Sequence, residues 1–408
     1  MTAEGSETPA YTSTPDLITS DEALTSILPG LAASPILIAV DTERASGFRY
    51  EQRPYLIQLK TSTTGIHLID PVGLTEPALG ELNRVLQDKQ WILHSASQDL
   101  WALRLIGLNP QRIFDTELSA RLLGREKVGL GPLVQDVLGI TLAKEHGGAD
   151  WSQRPLPQSW LSYAAGDVEF LIELAEILSK ELADAGKSEW AEQEFAHILS
   201  HPTSTPKIDP WRSTKDIHLV STRRGLALVR ELWAVRDDIA QELDLAPHRV
   251  LHDRAISRLA SYATINSVEA CRARLTQKKW GSRVAQTYAN EFTAALNRVD
   301  DMTLDDLPPT KASRTSIPSP SLWSRRNPEA AARWEAVRPA LKDLAATHNL
   351  AVENLIAPGP IRALLWEPTG FDEVSVDAQL AQSAVRPWQR HLVVPVIVQR
   401  LEQLSDQQ

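Results

Sequence analysis

Short apolar runs bounded by turn residues dominate the first hundred positions. ILIAV (36–40), YLIQL (55–59), IHLI (66–69) and WILHSA (91–96) each read as a strand. Three of them precede any long helical pattern, which predicts a hairpin-like start to a mixed sheet. Helical periodicity then takes over in ALGELNRVLQ, QDLWALRLIG, TELSARLLG and LGPLVQDVLG, and a long helix is expected from about Gln158 to Leu182. Strands followed by alternating elements make an α/β domain over residues 16–200, after a flexible tail at 1–15. The Pro/Thr-rich stretch 201–216 reads as a linker and 217–299 as all helix. A second linker at 300–327 leads to a last helical region, 328–408.

The two helical regions resemble each other. LAPHRVLHDRAISRL (245–259) aligns without gaps to LAVENLIAPGPIRAL (350–364), with apolar residues matching at Leu245/Leu350, Val250/Leu355, Leu251/Ile356, Ile256/Ile361 and Leu259/Leu364. An aromatic-led helix carrying Trp233 and Arg236, or Trp334 and Arg338, precedes each copy. A duplicated helical module is therefore expected.

Charge sharpens this division. The chain carries a net −10, but residues 211–300 hold 15 Lys/Arg against 10 Asp/Glu, so this segment is +5 and the remainder −15. An acidic part beside a basic one suits a metal-dependent nuclease with a separate grip on phosphates, and equally two domains that merely differ in charge. The single cysteine, Cys271, excludes an internal disulfide and a cysteine zinc site. The polar N-terminus has no signal-peptide pattern, and no apolar run approaches the roughly 18 residues that span a membrane. A cytoplasmic, monomeric protein is expected.

The candidate chemistry lies in three acidic segments. In ILIAVDTE, alternation places Asp41 and Glu43 on one strand face and Thr42 on the other. Two carboxylates on one face repel unless a cation lies between them. In ILHSASQDLWAL, Ser97 is read as an N-cap and Asp99 as a first-turn residue favoured by the helix dipole. Tyr163 and Asp167, four apart, share a helix face. Each motif alone also suits a turn, a cap or a surface pair. Together they supply oxygen ligands without clustered Cys or His, a set for Mg²⁺ or Mn²⁺ rather than zinc. Two such ions roughly 3.5–4 Å apart clamp the attacking and leaving oxygens of a phosphodiester.

With VDTE, HSASQDL and YAAGDVEFL in this order, the chain resembles the ribonuclease D family, DEDD-type 3′→5′ exonucleases of the tyrosine subclass. IFDTELSARLLG and DWSQRPLPQSWLSYAAGDV resemble it too, and the region after 217 is similar to a helicase-and-RNase-D C-terminal (HRDC) domain. The resemblance implies an RNase H-like mixed sheet with flanking helices, then two HRDC-type domains. It implies that Asp41, Glu43, Asp99 and Asp167 hold two Mg²⁺ or Mn²⁺ ions while Tyr163 positions the attacking water. The implied reaction releases nucleoside 5′-monophosphates from RNA 3′ ends, with tRNA precursors the family's typical partner. Asp115 and His94 fall outside the implied catalytic set, Asp115 as a structural residue or cap.

Trp101 is expected in the core, with the cleft the alternative. Arg223, Arg224, Arg272, Arg274, Lys278 and Lys279 are candidates for a phosphate-binding face. Two prolines in PGPIRALLWEP set the second module apart and put its nucleic-acid binding in question. DNA is the alternative substrate, and a silent nucleic-acid binding protein the alternative class. No phosphate-loop motif supports a helicase.

Overall fold

A computed structural model describes residues 14–142, 148–201, 208–263, 268–275, 277, 282–310 and 317–405. Nearly all of the proposed tail, with Lys278 and Lys279, lies outside the described residues. Chain order begins with β1 (Leu17–Ile18), α1 (Asp21–Ala33), β2 (Leu37–Arg44), β3 (Pro54–Thr61) and β4 (Gly65–Ile69). There follow α2 (Glu76–Leu86), β5 (Gln90–Leu93), α3 (Leu100–Leu105), β6 (Arg112–Asp115), α4 (Thr116–Leu122) and α5 (Leu130–Leu138). Helices α6 (Gln158–Glu169), α7 (Leu171–Asp184) and α8 (Ser188–Ser200) complete the first region.

The six strands form one sheet in the order β1-β4-β3-β2-β5-β6. The β2–β3 and β3–β4 pairs are antiparallel, while β1–β4, β2–β5 and β5–β6 are parallel. This is the expected hairpin start grown into a mixed sheet. β2 is central and buried along most of its length, so its last residues emerge from the middle of the sheet with α6 packed against β2, β3 and β4.

Several expectations need correction. An unexpected helix, α1, lies between β1 and β2; Pro29 and Gly30 inside it broke the helical pattern, yet Ser20 caps it by accepting from the Ala23 amide. Strands β1 and β6 have two and four residues, too few to display a period. The single helix expected over 158–182 is two, separated at Phe170. At that break Lys60 of β3 donates to the Glu169 carbonyl and pairs with Glu173 at 2.9 Å. Ser97 caps nothing: it lies in a 3₁₀ turn, Ala96–Gln98, entered through Ser95 in the left-handed region (φ 63°).

The first helical module comprises α9 (Arg223–Glu242), α10 (Pro247–Val250), α11 (Asp253–Ala263), α12 (Val268–Leu275), α13 (Arg283–Thr287) and α14 (Ala289–Asp300). The second comprises α15 (Trp323–Arg326), α16 (Pro328–Thr347), α17 (Val352–Leu355), α18 (Pro358–Trp366), α19 (Glu373–Gln382) and α20 (Pro387–Ser405). Among the described residues there are two apolar cores. One gathers first-module residues around Leu232, Ile256 and Phe292, with Trp211 and Leu307 from the flanking linkers; the other runs from the sheet through Trp323 to Leu401.

Candidate metal centre and active site

The end of β2 delivers Asp41 and Glu43, and α6 lays Asp167 over them. One carboxylate oxygen from each of these three residues lies within 4.8 Å of the others. Glu43 is 8% exposed. Burial is the largest influence on all three and lifts each carboxyl above its ordinary range. Mutual repulsion adds to it: Asp167 raises Asp41, and Asp41, Asp167 and Asp99 raise Glu43. Such a set is costly to ionise as it stands and gains greatly from a bound cation.

Asp99 lies outside the 4.8 Å group, although its charge raises both Glu43 and Asp167. Its carboxylate accepts a 2.9 Å hydrogen bond from the Thr42 hydroxyl, a contact the alternation of β2 did not suggest. Burial, then Asp41, holds Asp99 well above the carboxylate range, with the Thr42 bond opposing. The turn carrying Asp99 is tied down by Asp115, which accepts from the amides of Ser95 (3.2 Å), Ala96 (2.8 Å) and Leu118 (3.0 Å). Asp115 is thus the N-cap of α4 and a fastener of the turn. Burial lowers His94 to about 4, and its Nδ1 lies 2.9 Å from the Thr116 hydroxyl.

Tyr163 hydrogen-bonds Asp167 through its side chain. Burial, then the charges of Asp167, Glu43 and Asp41, pushes its phenol far above its usual range. In this arrangement the phenol is held in its protonated form beside Asp167.

The residues present fit a hard divalent cation. All donors are carboxylate oxygens. Gln58, paired with Asp41 across the β2–β3 ladder, is fully buried with both side-chain amide atoms unpartnered among the described residues. A buried amide with open hydrogen bonds beside an acidic cluster suits the water shell of an ion.

The helical-module arginines read differently in the structure than in the sequence. Arg223 donates to the Leu307 carbonyl, and Arg224 to that of Val299 at 2.7 Å. Arg272 bonds Asn290 at 2.7 Å, and Arg274 lies 3.7 Å over the Tyr262 ring. Each described member of the set has a partner within its own module or, for Arg223, in the linker that follows it. Trp101 also departs from expectation: it is half-buried and belongs to neither apolar core. The guanidinium of Arg44 lies 5.6 Å from its ring centroid. Sequence reading passed over Arg44, though it directly follows VDTE.

Comparison with known proteins agrees with this geometry. A 3′-5′ exonuclease family model matches residues 15–183, an HRDC domain model 225–296, and a 3′ to 5′ exonuclease C-terminal domain model 316–401. The second module thus matches a model other than HRDC. Ribonuclease D of Jannaschia sp. is 31% identical over 74% of this chain and 78% of its own. Ribonuclease D of Escherichia coli is 29% identical over 86% and 89%. A crystal structure of a protein from Bifidobacterium adolescentis superposes with a TM-score of 0.83 at 33% identity, covering 96% and 97%. That of E. coli RNase D superposes at 0.68 and 23%, covering 96% and 99% and sharing the fold. With its 3′-5′ exonuclease domain, its helical HRDC region and these relatives, the chain belongs to the ribonuclease D family.

Proposed function

We propose that the chain removes nucleotides one at a time from RNA 3′ ends, releasing nucleoside 5′-monophosphates, with Asp41, Glu43, Asp99 and Asp167 holding two Mg²⁺ or Mn²⁺ ions. The observation that carries this reading is the convergence of Asp41, Glu43 and Asp167 within 4.8 Å. Bound there, the cations supply acidity to water and neutralise charge on the phosphodiester. The chain's own groups do the positioning. β2 and α6 hold the carboxylates face to face, and Thr42 fixes the rotamer of Asp99. Tyr163, kept protonated, braces Asp167 and orients the attacking water through its hydroxyl. RNA with a free 3′ end is the substrate class, tRNA precursors the finer choice, and residues 16–200, 217–299 and 328–408 the working units.

Purified protein with Mn²⁺ and 5′-labelled single strands of one sequence, RNA and DNA, tests this. Stepwise shortening of RNA from its 3′ end is the expected result. Faster shortening of DNA would replace the RNA reading with a DNA 3′-exonuclease. Shortening of neither, with binding retained, would leave a binding protein.

A further inference from the structure

Arg44 directly follows Glu43 at the C-terminal end of β2, where the ladder register shifts between these two residues. An irregularity of this kind redirects a side chain from the face that strict alternation assigns. The guanidinium stands over Trp101, two residues beyond Asp99, and its charge reaches Asp41, Glu43 and Asp99. It makes no hydrogen bond or ion pair with any described residue, and the Trp101 indole N–H has no partner there either. Thus a half-buried cation and a half-buried aromatic face stand paired beside the carboxylates, without a structural bond to occupy them.

The geometry points to a substrate clamp: Arg44 takes the non-bridging oxygens of the terminal phosphodiester, and Trp101 stacks on the base of the terminal nucleotide. The inference rests on the preceding functional reading. Charge balance supports it, because four carboxylates and two divalent cations sum to zero, leaving Arg44 to meet the single negative charge of the phosphodiester. A guanidinium fork matches two phosphate oxygens at once, as a lysine ammonium does not. An indole stacks on any base, as an enzyme without sequence preference requires.

The test compares Arg44→Ala, Arg44→Lys, Trp101→Ala and Trp101→Phe with the wild type. The readouts are turnover of labelled single-stranded RNA, fluorescence anisotropy of the same RNA in EDTA, and thermal melting. Arg44→Ala is expected to lower kcat about 100-fold, with Arg44→Lys recovering about a tenth of wild-type activity or less. Trp101→Ala is expected to raise KM about tenfold with kcat nearly unchanged, and Trp101→Phe to restore KM. In EDTA, both alanine variants are expected to weaken RNA binding several-fold. The two conservative variants keep the test open should an alanine variant fail to fold. Kinetics and binding within twofold of wild type for Arg44→Ala and Trp101→Ala would overturn the clamp, and a fully active Arg44→Lys would overturn the bidentate contact. A wild type inactive on RNA and DNA alike would sink the functional reading itself, a result distinct from an active wild type indifferent to Arg44.

Discussion

Helices α9, α10 and α11 start at Arg223, Pro247 and Asp253; α16, α17 and α18 start at Pro328, Val352 and Pro358, each 105 residues later. The left-handed residue after the long helix recurs as Asp244 (φ 47°) and Asn349 (φ 51°). The two copies share this backbone and join the exonuclease region by different means. In the first, Asp244 accepts from the amides of Tyr50 (3.1 Å) and Glu51 (2.9 Å), in the loop after β2. The Ala246 amide donates to the Phe48 carbonyl at 3.0 Å, and Arg249 covers the Phe48 ring at 4.1 Å. This junction is built largely of polar contacts, with Tyr50 packed against the edge of a core the module otherwise keeps to itself.

In the second copy, Asn349 donates to the Leu123 carbonyl at 3.0 Å, and buried Lys187 donates to the Leu122 and His348 carbonyls beside a shared apolar core. Trp388 stacks on Trp190 at 4.5 Å and 14°, and its indole N–H bonds Glu194, which also pairs with Arg386 at 2.7 Å. The exonuclease sheet and this module share one core. The two copies thus keep one helical frame, while one surface clamps the loop after β2 and the other is a structural weld. The short left-handed residue shows the divergence at a single position, since aspartate and asparagine both tolerate that conformation but present opposite hydrogen-bonding partners.

Breaking the weld should have the largest effect. Trp388→Ala empties a buried, stacked site and leaves Glu194 short of a donor, a loss of about 3–5 kcal/mol on the scale of buried tryptophan truncations. Calorimetry is expected to show two transitions, with only the one containing the sheet shifted; a single unchanged transition would contradict the shared core.

Cation binding separates the same two transitions. Mn²⁺ at about 100 times its dissociation constant adds about 2.7 kcal/mol to the state that binds it. The sheet transition should rise by that amount and the first module's should stay in place. Equal movement of both would mean that the centre is not confined to the exonuclease region.

Acidity acts on the same transition in the metal-free protein. Asp41 is pushed up to about 8 from an ordinary 3.8, so the folded state holds a proton that the unfolded state has released. Its contribution is complete below about pH 4 and is lost as the pH rises through about 8. Melting of metal-free protein should therefore fall across that window, and saturating Mn²⁺ should flatten the fall. A metal-free protein that grows more stable from pH 5 to 8 would contradict the buried acidic cluster.

The smallest effect is expected at the clamp. Asp244→Ala strips two amide partners and should cost about 1–3 kcal/mol locally. Hydrogen exchange at the Tyr50 and Glu51 amides should quicken while both melting transitions hold. Unchanged exchange at those amides would mean that Asp244 does not secure the loop.

The sequence made the principal carboxylates legible because their signals are local. Alternation put Asp41 and Glu43 on one face, and i,i+4 spacing put Tyr163 beside Asp167; the structure has both pairings. The module duplication was legible from a gap-free apolar match. Contacts closed by tertiary structure were not. Thr42 meets Asp99 across 57 residues, and Arg44 meets Trp101 beside a register shift. Arg223 and Arg224 looked like free surface cations because nothing local marks the carbonyls of Leu307 and Val299 as their partners. Helix α1 was hidden by Pro29 and Gly30, and the break at Phe170 by apolar periodicity that continues through it.

The central claim is that the acidic cluster is the nuclease centre, and Asp41→Asn tests it most directly. The substitution nearly preserves size and removes one ligand charge from a site whose repulsion it relieves, so the fold should survive with equal or higher metal-free stability. Turnover of 5′-labelled single-stranded RNA in Mn²⁺, measured beside wild type at matched circular dichroism, is expected to fall by about 1,000-fold or more. Turnover within tenfold of wild type would contradict the account.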